Sequence, residues 1–485
     1  MRVFWGRRGG EVVSSNELGL VRTFTGANLD TASLPLSLVT PRLPWALENV
    51  THWEGIEAVP SDSTLTVLQD HRIDVTRRWL PSGGNRSLGE GVRGLRQALE
   101  RAIDARVERS TAPIAADLSG GLDSGVMAFL AERRGSGPLN TVHLSPNDAG
   151  NDDVEWSQLL RARLPHAEHH TLTQREAGSW FADPPTDWAD PGSEPLPVLR
   201  NAHSLARIGQ LLEGRGVELY LNGGGGDELF RPSATYVLAL ARKYPVRARR
   251  VLRELRARGR WSRQEVRRAR LPHSSDWLSQ QARQLQHADD STGLQAAWDL
   301  TVSMPPWSTS EARGRVAEVL RAKATVDREQ TWIADFERMR LISAAGVATR
   351  AMARVLAPYG VSVESPYLDD DVIEAALAVD PLEYARAEGY KPLLAGAAKG
   401  IVPDALLERR SKGDYASEYY RGLRAHRSSI ERWVLESPMS RLELLEGKRF
   451  QAFLEQIHPS ATSFRHLDAT FSAARWLSAA ERETG

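Results

Sequence analysis

Cysteine is absent from this chain of 485 residues. Its absence excludes disulfides, thiolate metal ligands and thiol nucleophiles, and with them any chemistry that begins at a cysteine side chain. Net charge is absent too: 62 basic and 62 acidic residues cancel, which argues against nucleic-acid binding by general electrostatics. No apolar run approaches the roughly 18 to 20 residues that would span a bilayer. The opening segment MRVFWGRRGG lacks the apolar stretch of a signal peptide, so a cytoplasmic location and no membrane span are expected. Lysine is scarce. Only Lys243, Lys323, Lys391, Lys399, Lys412 and Lys448 occur, so each is worth inspecting.

What is present has the profile of a globular protein, with 41% hydrophobic and 26% charged residues and a length sufficient for two ordinary domains. Residues 1–86 hold short β-like runs, GEVVSS and STLTVLQD among them, separated by turn residues. The segment SLGEGVRGLRQALERAIDARVERS then carries apolar residues at helical spacing. As far as residue 230, strand-like segments (LNTVHLS, VELYLNGGG) alternate with helical ones (DVEWSQLLRARL, LRNAHSLARIGQLLEG). That alternation predicts an α/β fold with an open parallel sheet covered by helices. Beyond residue 230 the pattern reads as almost entirely helical.

Residues 117–125, DLSGGLDSG, lie where the apolar API run gives way to the helical VMAFLAERR. Free N–H groups and the positive dipole end of a helix favour an anion there, and glycines let the backbone approach phosphate oxygens. Ser119, Gly120, Gly121 and Leu122 would enter that helix. Asp123 would repel a phosphate unless a divalent cation lay between them, which points to magnesium. The competing reading is a glycine turn with Asp123 as a helix cap. No Gly-Lys-Ser/Thr follows, so this is not a Walker loop. A second apolar strand runs into glycines and acids in LYLNGGGGDELF, ending in Asp227 and Glu228. Loops at the carboxyl ends of neighbouring parallel strands converge on one crevice, so Asp123 and Asp227 could reach one metal.

The pair SGGLDS and GGGGDELF resembles the synthetase domain of the asparagine synthetase family. VESPYLDDDVIEAAL and YKPLLAGAAKGIVPDALLERRSKGDY resemble two further segments of that family, and the likeness covers roughly residues 87–430. The resemblance implies a pyrophosphate-loop fold with a helical C-terminal part, using ATP and Mg2+. It implies that Ser119, Gly120, Gly121, Asp123 and Ser124 cradle pyrophosphate, and that Leu118, Leu144, Asn222 and Gly223 line the adenosine pocket. Asp123 and Asp227 would hold magnesium, and Glu228 stands beside them as a further catalytic candidate. Lys412, in RRSKGDY, matches the lysine that neutralises charge on the α-phosphate and the leaving pyrophosphate, with Lys391 as a second phosphate-binding candidate. The implied chemistry is attack of a carboxylate on ATP, giving an acyl-adenylate that an amine captures.

Departures from the family narrow the reading. The cysteine that would hydrolyse glutamine is missing, Gly224 replaces a glutamate thought to assist the amine step and leaves room there, Gly125 replaces a serine, and Glu364 replaces an arginine. GGEVVSSNELGLV, GANLDTASL, THWEGIEAVPSDSTLTV and DVTRRWLP resemble the second half of the N-terminal domain of lasso peptide cyclases. Residues 1–86 are thus expected to form a partial, cysteine-free, glutaminase-like domain with an exposed sheet edge and apolar surface, and 87–485 the synthetase domain. The favoured expectation is a ligase closing a macrolactam on a ribosomal precursor peptide, with a leader-binding protein and a leader protease as possible partners. A small-molecule amide ligase of the β-lactam synthetase kind and a non-catalytic nucleotide-binding scaffold are the alternatives. The Arg-rich segment 241–270 reads as a solvated arm or as a docking surface for an acidic partner.

Overall fold

The computed structural model describes residues 2–79, 84–135, 137–148, 150–183, 194–195, 197–231, 233–259, 262–268, 274–287, 301–324, 333–386, 389–409, 413, 415–456 and 461–484. The N-terminal part contains β1 (Phe4–Arg8), β2 (Glu11–Ser15) and β3 (Ile56–Ala58), with β1 in the middle of an antiparallel sheet. A separate antiparallel ribbon joins β4 (Ser63–Val67) to β5 (Ile73–Arg77). Both runs read as strand-like, GEVVSS and STLTVLQD, contain strands.

These N-terminal elements share a core with the C-terminal helix Ala461–Thr484. Trp53 meets Trp476 edge-on at 6.4 Å, and the His52 ring lies 5.0 Å from the same indole. Leu20, Val67, Leu68 and Val75 are the exposed large apolar residues among the described N-terminal residues, spread over a helix and the β4–β5 ribbon. Single residues of this kind are ordinary on a protein surface. Leu34, Leu38, Trp45 and Leu47 are by contrast fully sequestered.

The helix Leu88–Val107 begins at a capping box: the Ser87 hydroxyl accepts from the Glu90 amide, and the Glu90 carboxylate accepts from the Ser87 amide. Leu95, Ala98, Leu99, Ala102 and Ile103 form its buried stripe, the helical spacing visible in the sequence. It delivers the chain to β6 (Ile114–Asp117), the first strand of a second sheet, followed by β7 (Asn140–Ser145), β8 (Glu168–Thr173), β9 (Leu219–Leu221) and β10 (Ser362–Glu364). The order is β10-β9-β6-β7-β8, and every pairing is parallel.

The fold is therefore the α/β fold with an open parallel sheet that the alternation predicts, of the pyrophosphate-loop type that the resemblance implies, with a β-rich N-terminal part and helices towards the C-terminus. One correction concerns the region beyond residue 230. It is not purely helical, because Ser362–Glu364 pairs with β9 as the fifth strand, and only three residues with a single buried valine leave too little pattern to recognise.

Chain order places the site. From β6 the sheet grows one way through β7 and β8, then the chain crosses over to add β9 on the other flank. The carboxyl ends of β6 and β9 thus border the point where strand order reverses, where open α/β sheets bind ligands. Ala115, Ala116 and all of β9 are buried, as in sheets covered on both faces.

Candidate active site

Beyond β6 the chain turns at Gly120 (φ +90°) and enters the helix Leu122–Arg134. A side chain at Gly120 would strain the backbone, and its Cβ would lie 2.7 Å from the Asp153 carbonyl oxygen. The Ser119 and Ser124 hydroxyls sit 2.9 Å apart, and the Ser119 amide donates to Ser124 Oγ at 3.3 Å. Ser124 thereby braces the loop from inside the first helical turn. The expected members Ser119, Gly120, Gly121, Leu122, Asp123 and Ser124 are together at a helix N-terminus of thirteen residues, the geometry that favours an anion.

The loop after β9 closes on this turn. A Cβ at Gly226 would come within 2.5 Å of Asp123 Cγ, and one at Gly223 would touch the Ser124 amide nitrogen at 3.0 Å. Close approach of two backbones explains part of the glycine run. It also brings Asp123 and Asp227 to a shared cation, since Lys391 Nζ lies 2.5 Å from Asp123 Oδ2 and 2.8 Å from Asp227 Oδ1. The Lys391 side chain is fully buried, and the residue caps the helix Pro392–Ala398 in the left-handed region at φ 49°. A non-glycine residue there costs of order 1–3 kcal/mol, and such residues cluster at functional sites. The Tyr390 hydroxyl donates to Asp227 at 3.3 Å, and Arg231 stands 3.7 Å away. Beside them, burial pushes the Glu228 carboxyl above its usual range, helped by the neighbouring Asp227 and Asp123 charges.

Two carboxylates that converge on one ammonium define a cation position. Among the described residues no cluster of three or more His, Cys, Asp or Glu could hold a metal unaided. The donor set still fits Mg2+, which is commonly bound through one or two carboxylates plus substrate phosphates.

Sequence reasoning missed a third element. Arg409 is buried over the Trp156 ring; it donates to the Gly120 carbonyl at 2.7 Å and to Asp152 and Asp153 at 2.6 Å each. Asp153, itself buried, also accepts from the Gly413 amide at 3.3 Å and from the Tyr415 hydroxyl at 2.9 Å. The glycine turn and the chain on both sides of Lys412 are thus tied to one carboxylate. Lys412 itself lies outside the described residues. Asp153 carried no motif signal; its neighbour Trp156 and the run NDDVEW, just past a predicted strand end, were the available hints.

Of the residues expected to border adenosine, Leu118, Leu144 and Asn222 stand at the ends of three adjacent strands, β6, β7 and β9. Leu118 is fully buried, its carbonyl accepting from the Ser157 hydroxyl at 3.1 Å. Asn222 Oδ1 accepts from the Gly224 amide at 2.7 Å.

The room expected at Gly224 is not there. A Cβ would lie 2.8 Å from Asn222 Oδ1 and 3.2 Å from the Thr349 hydroxyl, and the Ser365 hydroxyl donates to the Gly224 carbonyl. A polar cage of Asn222, Thr349 and Ser365 occupies the space around Gly224. Glu364, on β10, pairs with Arg106 at 2.5 Å, and Arg106 also reaches Asp369 at 2.7 Å.

Residues 94–478 match the asparagine synthase family. A stretch of 124 residues is 33% identical to carboxyethyl-arginine β-lactam-synthase of Streptomyces clavuligerus, covering 24% of this chain and 23% of that protein. The chain therefore spans less than a quarter of that curated relative's length. Among solved structures, NH3-dependent NAD synthetase from Campylobacter jejuni is 16% identical with a TM-score of 0.22, over 29% of this chain and 59% of that one. NMN synthetase from Francisella tularensis is 15% identical with a TM-score of 0.19, over 32% and 58%.

Proposed function

Because the chain belongs to the asparagine synthase family, we propose that it is an ATP-dependent carbon–nitrogen ligase working through an acyl-adenylate. The observation that carries this is the convergence of Asp123 and Asp227, from two loops at the switch point of the sheet, on one cation position beside a helix N-terminus. A substrate carboxylate oxygen attacks the α-phosphorus, the bond from the α-phosphorus to the bridging oxygen breaks, and pyrophosphate leaves. An amine then attacks the acyl carbon, loses a proton and expels AMP.

The backbone around Ser119–Ser124 would hold the pyrophosphate, and Leu118, Leu144, Asn222 and Gly223 would border the adenosine. Magnesium, when bound with the nucleotide, would be held by Asp123 and Asp227 and would shield phosphate charge. Lys391 would turn from these carboxylates to the phosphates, and Lys412 would offset charge on the departing pyrophosphate. Glu228, held nearer its neutral form than usual, is suited to exchange a proton at this edge of the site.

For the substrate, we favour a ribosomal core peptide whose N-terminal amine is joined to an internal Asp or Glu side chain. What supports this is the likeness of residues 1–86 to lasso peptide cyclases and a glycine rather than a glutamate at position 224, which leaves positioning to supply the rate. Holding both reacting groups in place is worth on the order of 7 to 11 kcal/mol. A small-molecule ligase is the second reading, favoured by the stretch shared with carboxyethyl-arginine β-lactam-synthase.

Mass spectrometry separates the two readings. A core peptide with its acid seven to nine positions along, incubated with enzyme, ATP and magnesium, should lose one water. Dehydration of a small amino acid derivative without any peptide product would overturn the peptide reading.

The proposal places the enzyme in the cytoplasm, with the ATP it consumes. A leader-binding protein or protease would dock on the helix Arg249–Gly259, which buries Val251 and exposes Arg249, Arg250 and Arg253. A complex indifferent to ionic strength and to charge reversal at these three arginines would sink the docking idea.

A further inference from the structure

A cavity of about 400 Å3 lies between the N-terminal part and the helices of the synthetase body. Among the described residues six guanidinium groups line it, those of Arg2, Arg42, Arg200, Arg340, Arg350 and Arg465, against three carboxyl groups. All three carboxyls are engaged: Glu194 by Arg2 at 2.5 Å, Glu48 by Arg340 at 2.9 Å, and Asp468 by Arg200. Arg42 donates to the Arg340 carbonyl. His52, also in the wall, adds no positive charge near neutral pH, because burial lowers its pKa to about 4.

Among the described lining residues guanidinium groups therefore outnumber carboxyls, and Arg350 is one of them. This residue makes no hydrogen bond or ion pair with a described residue, and burial lowers its pKa below the ordinary arginine value. Arg350 is half-buried and feels the charges of Glu194 and Glu48 without bonding to either, and an oxyanion in the cavity would give it a bonded partner. Leu36, Val39, Leu43, Val59 and Val347 supply apolar wall for a short carbon chain, and the volume is at the lower end of small-molecule sites.

One helix links the cavity to the loop after β9. Ser343, Ala344, Val347 and Arg350 line it from the helix Ile333–Leu356, one stripe at helical spacing. On the same helix, the Thr349 hydroxyl reaches towards Gly224, and Met352 Sδ lies 3.6 Å from Asn222 Nδ2.

We propose that this cavity is a substrate site taking a carboxylate-bearing arm of the molecule being ligated, with Arg350 as its principal anchor. The assignment rests on the ligase reading above. It adds an acidic group distant from the carboxylate that is activated. Arg350 is a positioning residue, because it holds the substrate and does not touch the reacting atoms.

Isothermal titration calorimetry on the full chain, with glutarate, inorganic phosphate and neutral glutaramide as probes, tests the proposal. Glutarate should bind, glutaramide should not, and Arg350→Gln should weaken glutarate at least tenfold, about 1.4 kcal/mol. Should Arg350→Gln fail to fold, Arg465→Gln at the exposed rim should weaken glutarate about threefold while keeping the wild-type unfolding midpoint. In turnover, both variants should raise the substrate KM with little change in kcat.

No heat from glutarate at about 20 mM, or unchanged affinity in the variant that folds, would overturn the cavity as a carboxylate site. Tighter binding of phosphate than of glutarate would also overturn the substrate assignment, leaving an inorganic anion site. Exchange of pyrophosphate into ATP, measured on the same samples, keeps the readings apart. Its absence with glutarate binding intact would sink the ligase reading and leave the cavity's ligand chemistry standing.

Discussion

Replacing Lys391 by methionine keeps most of the side-chain volume and removes the ammonium that Asp123 and Asp227 share. Removing one partner of a buried ion pair costs about 3–5 kcal/mol. The lower figure applies here, because Asp227 keeps Tyr390 and Arg231 as neighbours and both carboxylates retain some solvent contact. For a chain of this length the unfolding entropy is of order 1 kcal/mol per kelvin, so Tm should fall by about 3 °C. The informative variable is magnesium. In the wild type Lys391 occupies the cation position, so Mg2+ without nucleotide should move Tm hardly at all. In Lys391→Met the position is open to it, and Mg2+ at a hundred times its Kd restores about 2.7 kcal/mol, most of the loss. Differential scanning fluorimetry at 0 and 10 mM Mg2+, with NaCl matched for ionic strength, reads this directly. Equal magnesium responses in both proteins would refute the shared cation position, and so would an unchanged Tm in the variant.

Further expectations concern other parts of the site. Gly226→Ala places a Cβ against Asp123 Cγ, so the two loops must part and pyrophosphate exchange should fall at least tenfold, with a stability loss of about 1–3 kcal/mol. Asp153→Asn should cut exchange by a similar factor although the residue bears no resemblance-based role; wild-type exchange would dismiss the tie through Arg409. Lys412→Ala should lower kcat far more than it raises the KM for ATP, and an effect on KM alone would contradict its role at the leaving group.

The paired shifts of His52 and Asp468 predict opposite pH slopes. Burial lowers His52 to about 4, so its unfolded form binds more protons between pH 4 and 6.5 and stability rises with pH there. Burial raises Asp468 to about 6, so stability falls with pH from its unfolded value of about 4 up to 6. Each effect is about 3 kcal/mol, and together they nearly cancel. Asp468→Asn should therefore gain stability on wild type as pH rises from 4 to 6, and His52→Gln should lose it over the same span. Urea midpoints against pH check both; parallel curves for all three proteins would refute the shifts.

Motifs that put backbone chemistry into sequence were legible. SGGLDS and GGGGDELF announced two glycine turns at strand ends, and the topology duly places Asp123 and Asp227 together. Long-range partners were not legible. Nothing local marks Arg409 as the guanidinium that reaches the Gly120 carbonyl 289 positions away, since one arginine among so many has no distinguishing neighbours. Lys391 could be suspected only from rarity, and its left-handed backbone is set by the turn into Pro392 rather than by its own preference. The error at Gly224 has a general cause: deletion of a side chain implies space only if the surroundings stay put, and Asn222, Thr349 and Ser365 did not leave it vacant.

The tie made by Arg409 has a consequence for the order of events. One guanidinium holds the carbonyl of the glycine turn and the carboxylate that also anchors Gly413 and Tyr415. A nucleotide that reshapes the turn must alter the grip on the chain flanking Lys412, and whatever steadies that chain must favour the shape of the turn that holds phosphate. Linkage makes the influence mutual and equal in free energy. Departure of pyrophosphate would then be the event that unlatches this side of the molecule, with the acyl-adenylate still in place to meet its amine.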